Sequence, residues 1–168
     1  MIEEIDTVIK FDKATEGWLK EEHYAYWNGN AHLGLGDYIP GMATAYLKSI
    51  AAQNNKNSNI LPLIKIWAYK CGEEYISAAC FSGHKHPLTG KRILSETFWT
   101  ARGKKADTFI EKMSLIKLLK HAEKYGKRNN FDYIRMGKVI GAHPETLDNF
   151  YLKSGYKADS LIYSKKLK

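Results

Sequence analysis

TLDNFYLKSGYKADSLIY, residues Thr146–Tyr163, reads as a short helix that ends in Phe150-Tyr151, breaks at Gly155 and gives way to an apolar closing strand. Gly155 stands where a helix C-terminus favours a residue that accepts positive φ. A Phe-Tyr pair on a helix is most often simple core packing. Whether it does more depends on the elements that precede it.

Working back from this stretch, Phe131–Lys138 (FDYIRMGK) reads as a strand. Before it, Lys112–Lys127 has the strongest helical pattern in the chain. Leu115, Leu118, Leu119, Ala122 and Tyr125 form its apolar face, with Lys117, Lys120, Glu123 and Lys124 outside. Arg92–Thr100 (RILSETFWT) is a strand, reached through a hairpin loop at Ser82–Gly90. Tyr75–Phe81 and Ile60–Tyr69 are two further strands around the turn Cys71-Gly72-Glu73-Glu74. Nearer the start, Met42–Ala52 and Ala14–Trp27 read as helices, with Thr15 an N-cap candidate. The Gly-rich Asn28–Pro40 is a loop between them, and Ile5–Phe11 (IDTVIKF) alternates as a first strand. The order is β-α-α-β-β-β-α-β-α-β, an α/β (α+β) chain with a mixed sheet. No repeat or linker divides it, so a single domain over residues 1–168 is expected.

At 168 residues the chain is long enough to bury a core without staples. Its composition, 44% hydrophobic and 26% charged, is that of an ordinary globular protein. No apolar run reaches the ~20 residues of a membrane span. The start, MIEEIDTVIKFD, lacks the basic and apolar regions of a signal peptide, so a cytoplasmic location is expected. Cys71 and Cys80 are the two cysteines, read as reduced thiols on neighbouring strands. The net charge of +8 is compatible with nucleic acid, coenzyme phosphates or an acidic protein. No nucleic-acid motif accompanies it, so charge alone is no ground for that partner.

The motif Phe150-Tyr151-x-Lys153-x-Gly155-Tyr156, the closing strand and the element order together resemble the GNAT N-acetyltransferase superfamily. The size, Trp99 near the end of its strand and the compact close from Lys153 to Gly155 are most similar to small acyltransferase-like proteins of tailed bacteriophages. A phage source would place the protein in the host cytoplasm. The resemblance implies an acetyl-CoA-dependent transfer of an acetyl group to a primary amine, directly within a ternary complex. It also allows a homodimer, since GNAT-like proteins are often dimers. The acceptor stays open among protein lysines, chain N-termini, polyamines, aminoglycosides and other small amines. The alternative is a catalytically weak GNAT-fold protein that binds or inhibits.

In that family the motif tyrosine protonates the leaving thiolate, which makes Tyr151 the general acid. Glu96, a lone carboxylate within the strand SETFW and placed between Leu94 and Phe98, is the candidate base. Burying it unpaired would be costly, and it resembles the strand glutamate used by several GNAT enzymes. The resemblance puts the acyl carbonyl near the backbone of Thr100, Ala101 and Arg102, and the pyrophosphate on the turn that opens the long helix. The family's Gly-rich signature is absent from that turn. Lys104, Lys105, Lys112, Met113 and Ser114 take its place, with Lys charge offsetting the missing close backbone approach. His143-Pro144 stands where the family often carries an asparagine, so His143 is a candidate for the coenzyme groove. By the same analogy Glu22, His23, Trp27 and Asp37 are candidates for the acceptor pocket. His84 and His86 alternate as metal ligands do, but no third ligand stands at matching spacing, and no metal is expected. Cys80 reads as a small core residue.

Overall fold

The structure is a computed structural model that describes residues 1–5, 10, 49, 61, 63–101, 109–137 and 144–158. Five strands form one sheet in the order β1-β2-β3-β4-β5: β1 (Ile2–Glu4), β2 (Leu63–Cys71), β3 (Glu74–Lys85), β4 (Arg92–Ala101) and β5 (Tyr133–Arg135). Pairing is antiparallel from β1 to β4 and parallel between β4 and β5. The crossover from β4 to β5 is the helix α1 (Phe109–Arg128), and α2 (Pro144–Lys153) follows β5. This is a mixed α+β fold, as the sequence implies. The helix expected over Ala14–Trp27, most of Met42–Ala52 and the closing strand after Gly155 lie outside the described residues.

Three boundaries differ from the sequence reading. The first strand among the described residues is Ile2–Glu4, ahead of the expected Ile5–Phe11, most of which lies outside the described residues; Glu3 and Glu4 both find cations or hydroxyls that let them sit in a sheet. Tyr75 donates to Glu3 at 2.9 Å, and Lys65, itself buried, donates to Glu4 at 2.5 Å. Ile5 is buried just beyond the strand. The hairpin loop expected over Ser82–Gly90 shrinks to a turn, since β3 runs on through Ser82–Lys85 paired to Arg92–Ser95. Gly83 serves there as a close approach: a Cβ would meet Phe131 at 2.8 Å and Leu63 at 2.9 Å. Finally, β5 is three residues long, not the eight of Phe131–Lys138.

The core lies between the sheet and α1. Trp67, Ala79, Phe81 and Leu94 of the sheet pack with Leu118 and Ala122 of the helix, and Tyr125 and Phe131 close over them. Cys80 is fully buried on β3, and burial pushes its thiol up to about 12. The start of β5 is clasped to the start of β4. Arg92 N–H donates to the Asp132 carboxylate at 2.8 Å, and Asp132 N–H donates back to the Arg92 carbonyl at 2.9 Å. Lys91 adds an exposed ion pair to Asp132.

Candidate active site

β4 and β5 share only the pairs Ile93↔Tyr133, Leu94↔Ile134 and Ser95↔Arg135. Beyond them β4 continues to Ala101 while β5 ends, so from Glu96 onward β5 provides no partner for that edge. The two strands are clasped at their start, and their described pairing stops at Ser95↔Arg135.

A β-bulge falls at the parting point. Cys80 pairs with Phe98 but Phe81 pairs with Glu96, so Thr97 is an extra residue on β4. In an unbroken strand, positions 96 and 99 would face opposite sides. Here Glu96 is opposite Phe81 and Trp99 is opposite Ala79, and those two β3 residues share a face. The sequence reading, which placed Glu96 between Leu94 and Phe98 on one face, is corrected: Trp99 shares the face of Glu96. A bulge leaves no mark in the residue pattern SETFW, so this neighbour was not legible.

The Glu96 carboxylate accepts a 2.8 Å hydrogen bond from Gly137 N–H, two residues past the end of β5. The side chain thus holds a peptide that the strand ladder no longer reaches. Crowding of the carboxyl by protein pushes its pKa up to about 7, and the Gly137 bond only partly offsets this. The same residue's backbone receives a second group, as the Tyr151 hydroxyl donates to the Gly137 carbonyl, in the next peptide unit, at 3.4 Å. Burial raises the Tyr151 phenol well above its ordinary range, and the nearby Glu96 charge raises it further. The base and acid candidates therefore both bond the backbone of Gly137, one at its N–H and the other at its carbonyl, from 41 and 14 residues away along the chain.

Tyr151 is held by aromatic packing. Trp99 stacks on Phe150 at 5.8 Å and lies 6.1 Å from the Tyr151 ring, while the Trp99 indole N–H donates to the Leu115 carbonyl on α1 at 3.3 Å. Tyr156 approaches from the other side at 5.6 Å and donates its hydroxyl to Glu123 of α1 at 2.9 Å. Its position depends on how α2 ends. Gly155 N–H reaches the Leu152 carbonyl and Tyr156 N–H reaches the Tyr151 carbonyl, each at 3.0 Å, with Gly155 at φ +86°. That is a Schellman close, and it confirms the positive φ expected of Gly155.

The coenzyme candidates separate into two groups. Thr100 and Ala101 lie on the unpaired edge of β4, and Lys112 is exposed on α1. The helix begins at Phe109, three residues earlier than the sequence suggested, so its open N–H groups belong to about residues 109–112. Met113 is partly buried beyond that first turn. Ser114 is buried, and its hydroxyl donates to the Glu111 carbonyl at 2.7 Å, so its polar group is engaged within the helix. Arg102, Lys104, Lys105, His143, Glu22, His23, Trp27 and Asp37 lie outside the described residues. His84 is on β3, and His86 accepts from Leu88 N–H in the turn after it. Among the described residues no three His, Cys, Asp or Glu side chains are placed to hold a metal ion. No described helix is long and apolar enough to cross a membrane.

No protein-family model and no curated protein matches this sequence. Solved structures do match in fold. A possible acetyltransferase from Clostridium difficile 630 aligns with a TM-score of 0.68 at 10% identity, covering 100% of this chain and 97% of that one. An aminoglycoside acetyltransferase from an uncultured soil metagenomic sample, solved with trehalose, gives 0.64 at 13% identity, covering 100% and 96%. A ribosomal-protein-alanine N-acetyltransferase from Brucella melitensis biovar Abortus 2308 gives 0.61 at 12% identity, covering 99% of each chain. The bulged junction of β4 and β5 thus sits within a chain that has the fold of the GNAT-type acetyltransferases.

Proposed function

We propose that the chain is an acetyl-CoA-dependent N-acyltransferase that moves an acetyl group to a primary amine by direct transfer in a ternary complex. The observation that carries this reading is the convergence of Glu96 and Tyr151 on the backbone of Gly137, where the β4–β5 pairing ends. The parting leaves β4 backbone that β5 does not use, which suits the amide-bearing arm of the coenzyme. The open N–H groups of Phe109–Lys112, with Lys104, Lys105 and Lys112, suit its pyrophosphate.

Bound acetyl-CoA supplies a thioester whose acyl carbon is open to attack. Glu96 titrates near neutrality, so its ionised form takes the proton that the acceptor nitrogen must lose. Tyr151 stays protonated at every working pH and donates its phenolic proton to the departing sulfur. The balance is one C–N bond formed and one C–S bond broken, with the electron pair leaving on sulfur. One proton moves onto Glu96 and one leaves Tyr151, and solvent restores both.

The test is release of free coenzyme thiol from acetyl-CoA in the presence of a panel of amines: a lysine peptide, a peptide N-terminus, a polyamine and an aminoglycoside. The expected result is amine-dependent thiol release for at least one class, lost in Tyr151→Phe. Saturable acetyl-CoA binding with no thiol release for any class would instead support the binding or inhibitory reading.

A further inference from the structure

Helix α1 carries a charge distribution that, apart from Lys112, the acyl-transfer reading does not use. Its 20 residues hold six cations (Lys112, Lys117, Lys120, Lys124, Lys127 and Arg128) and two carboxylates (Glu111 and Glu123), a net +4 out of the chain's +8. The carboxylates do not balance the outer face, because Glu111 is buried and Glu123 accepts from Tyr156. Lys117, Lys120, Lys124 and Lys127 follow one another at helical i+3 and i+4 spacing, Arg128 is i+4 from Lys124, and all five are exposed. At ~100° per residue they fall within an arc of about 100°, opposite the core-facing Leu118, Leu119, Ala122 and Gly126. None forms an ion pair with a described carboxylate.

Lys127 and Arg128 at the helix C-terminus offset the macrodipole there, and that alone explains two of the five. It does not explain Lys117, Lys120 and Lys124 in mid-helix. Lys117 is propped outward by the Tyr69 side chain, 5.1 Å below it, whose hydroxyl it meets at 3.1 Å.

We infer that this stripe of α1 is a docking surface for the phosphodiester backbone of a nucleic acid. A folded acidic protein is the rival polyanion, but interfaces between proteins centre on apolar or aromatic anchors. The exposed large apolar residues among those described are Met1, Leu88, Phe109, Ile110, Tyr133 and Leu152, none of which lies within Lys117–Arg128. A stripe of uniform positive charge about 16 Å long without such an anchor matches a regularly charged polymer. The surface carries no base-reading group that would select sequence, so binding is to backbone.

The experiment is fluorescence-anisotropy titration of labelled 20-mers, as duplex RNA, duplex DNA and single-stranded RNA, over a series of KCl concentrations. Five phosphate contacts predict a slope of log K against log salt of about −4.5 on duplex and about −3.5 on single strands. Lys120, Lys124 and Lys127 changed together to Gln should weaken duplex binding at least tenfold and shallow the slope by about 2.7. The same three changed to Arg should keep it. Changing Lys85, Lys91 and Lys157 together to Gln removes the same net charge elsewhere and should cost less than threefold. Equal losses in the two Gln variants would reduce the effect to overall charge and overturn the proposal, as would absence of binding by the wild type. Binding of a polyglutamate chain as tight as that of the 20-mers would overturn the nucleic-acid assignment. Thermal unfolding of each variant confirms that the fold is intact. None of these residues is placed in the acyl-transfer site, so the outcome is independent of that reading.

Discussion

The β2–β3 pair and the β4–β5 pair are built from similar residues and do opposite things. β2 and β3 pair from Leu63↔Gly83 to Cys71↔Glu74 with one register shift between Tyr69 and Lys70, and their inward residues Trp67, Ala79 and Phe81 are fully buried under α1. β4 and β5 hold each other for three pairs and then let go, leaving a glutamate side chain to bond the next available peptide. The first junction satisfies its backbone with backbone and yields stability. The second leaves the β4 edge beyond Ser95 without a partner from β5 and carries a crowded carboxylate, and the proposed chemistry is placed there. The proposal thus draws stability and function from different junctions of one sheet.

The sharpest way to break this comparison is at Tyr151. Tyr151→Phe keeps the ring and its stacking on Trp99 and Tyr156, so unfolding temperature should hardly move. Its hydroxyl is the proton donor of the proposed reaction, and loss of general-acid help typically costs ~10²–10⁴-fold in kcat. Steady-state turnover and a melting curve on one preparation check both halves.

At the other junction, Phe81→Ala should cost about 3–5 kcal/mol of unfolding free energy, because it empties the centre of the cluster between β2, β3 and α1. Denaturant unfolding measures it. Coenzyme affinity of the molecules that remain folded should be unchanged, the mirror image of Tyr151→Phe.

Glu96→Gln joins the two regimes. The folded carboxyl titrates near 7 against an ordinary 4.5, so the native state binds the extra proton between those values. The wild type is therefore at its most stable, as far as this group is concerned, below about pH 4.5, and loses that contribution as pH rises through 7. Gln cannot ionise. The variant should match the wild type at pH 4.5 and exceed it by about 1–3 kcal/mol at pH 8. The same change should remove the rise in kcat/KM through pH 7. Equal stability of the two proteins at both pH values would show that Glu96 is not strained by its surroundings.

The smallest expected effect is at the end of α2. Gly155→Ala forces an L side chain to φ +86° and should cost about 1–2 kcal/mol. Because the same close positions Tyr151 and Tyr156, a small drop in turnover should accompany it, which a turnover assay alongside thermal unfolding would detect.

The β-β-β-α-β-α run among the described residues and the close of α2 at Gly155 were legible because they rest on period and punctuation: helical spacing in Lys112–Lys127, alternation in the strands, and glycine at the end of α2. Tyr151 and Glu96 were legible by type, one from its motif and one as a carboxylate in an apolar strand. What held them was not. Gly137 contributes only backbone, and Thr97 acts by being one residue too many, so neither has a side-chain signature. Trp99 read as a strand aromatic, and only the bulge shows that it faces Glu96 and braces Phe150 and Tyr151. The start of α1 was set three residues late because Phe109 and Ile110 are exposed apolar residues that no amphipathic pattern asks for. That error moved Ser114 from an imagined anion site into the core.

The central claim is that the gap between β4 and β5 receives acetyl-CoA, and calorimetric titration of acetyl-CoA into the wild-type protein tests it most directly. The account predicts saturable one-to-one binding, with a dissociation constant of roughly 1 μM–1 mM as is common for enzyme substrates, retained in Tyr151→Phe. It also predicts weaker, less salt-dependent binding when Lys104, Lys105 and Lys112 are together replaced by Ala. A titration with no saturable heat at millimolar acetyl-CoA, on protein shown to be folded, would contradict it.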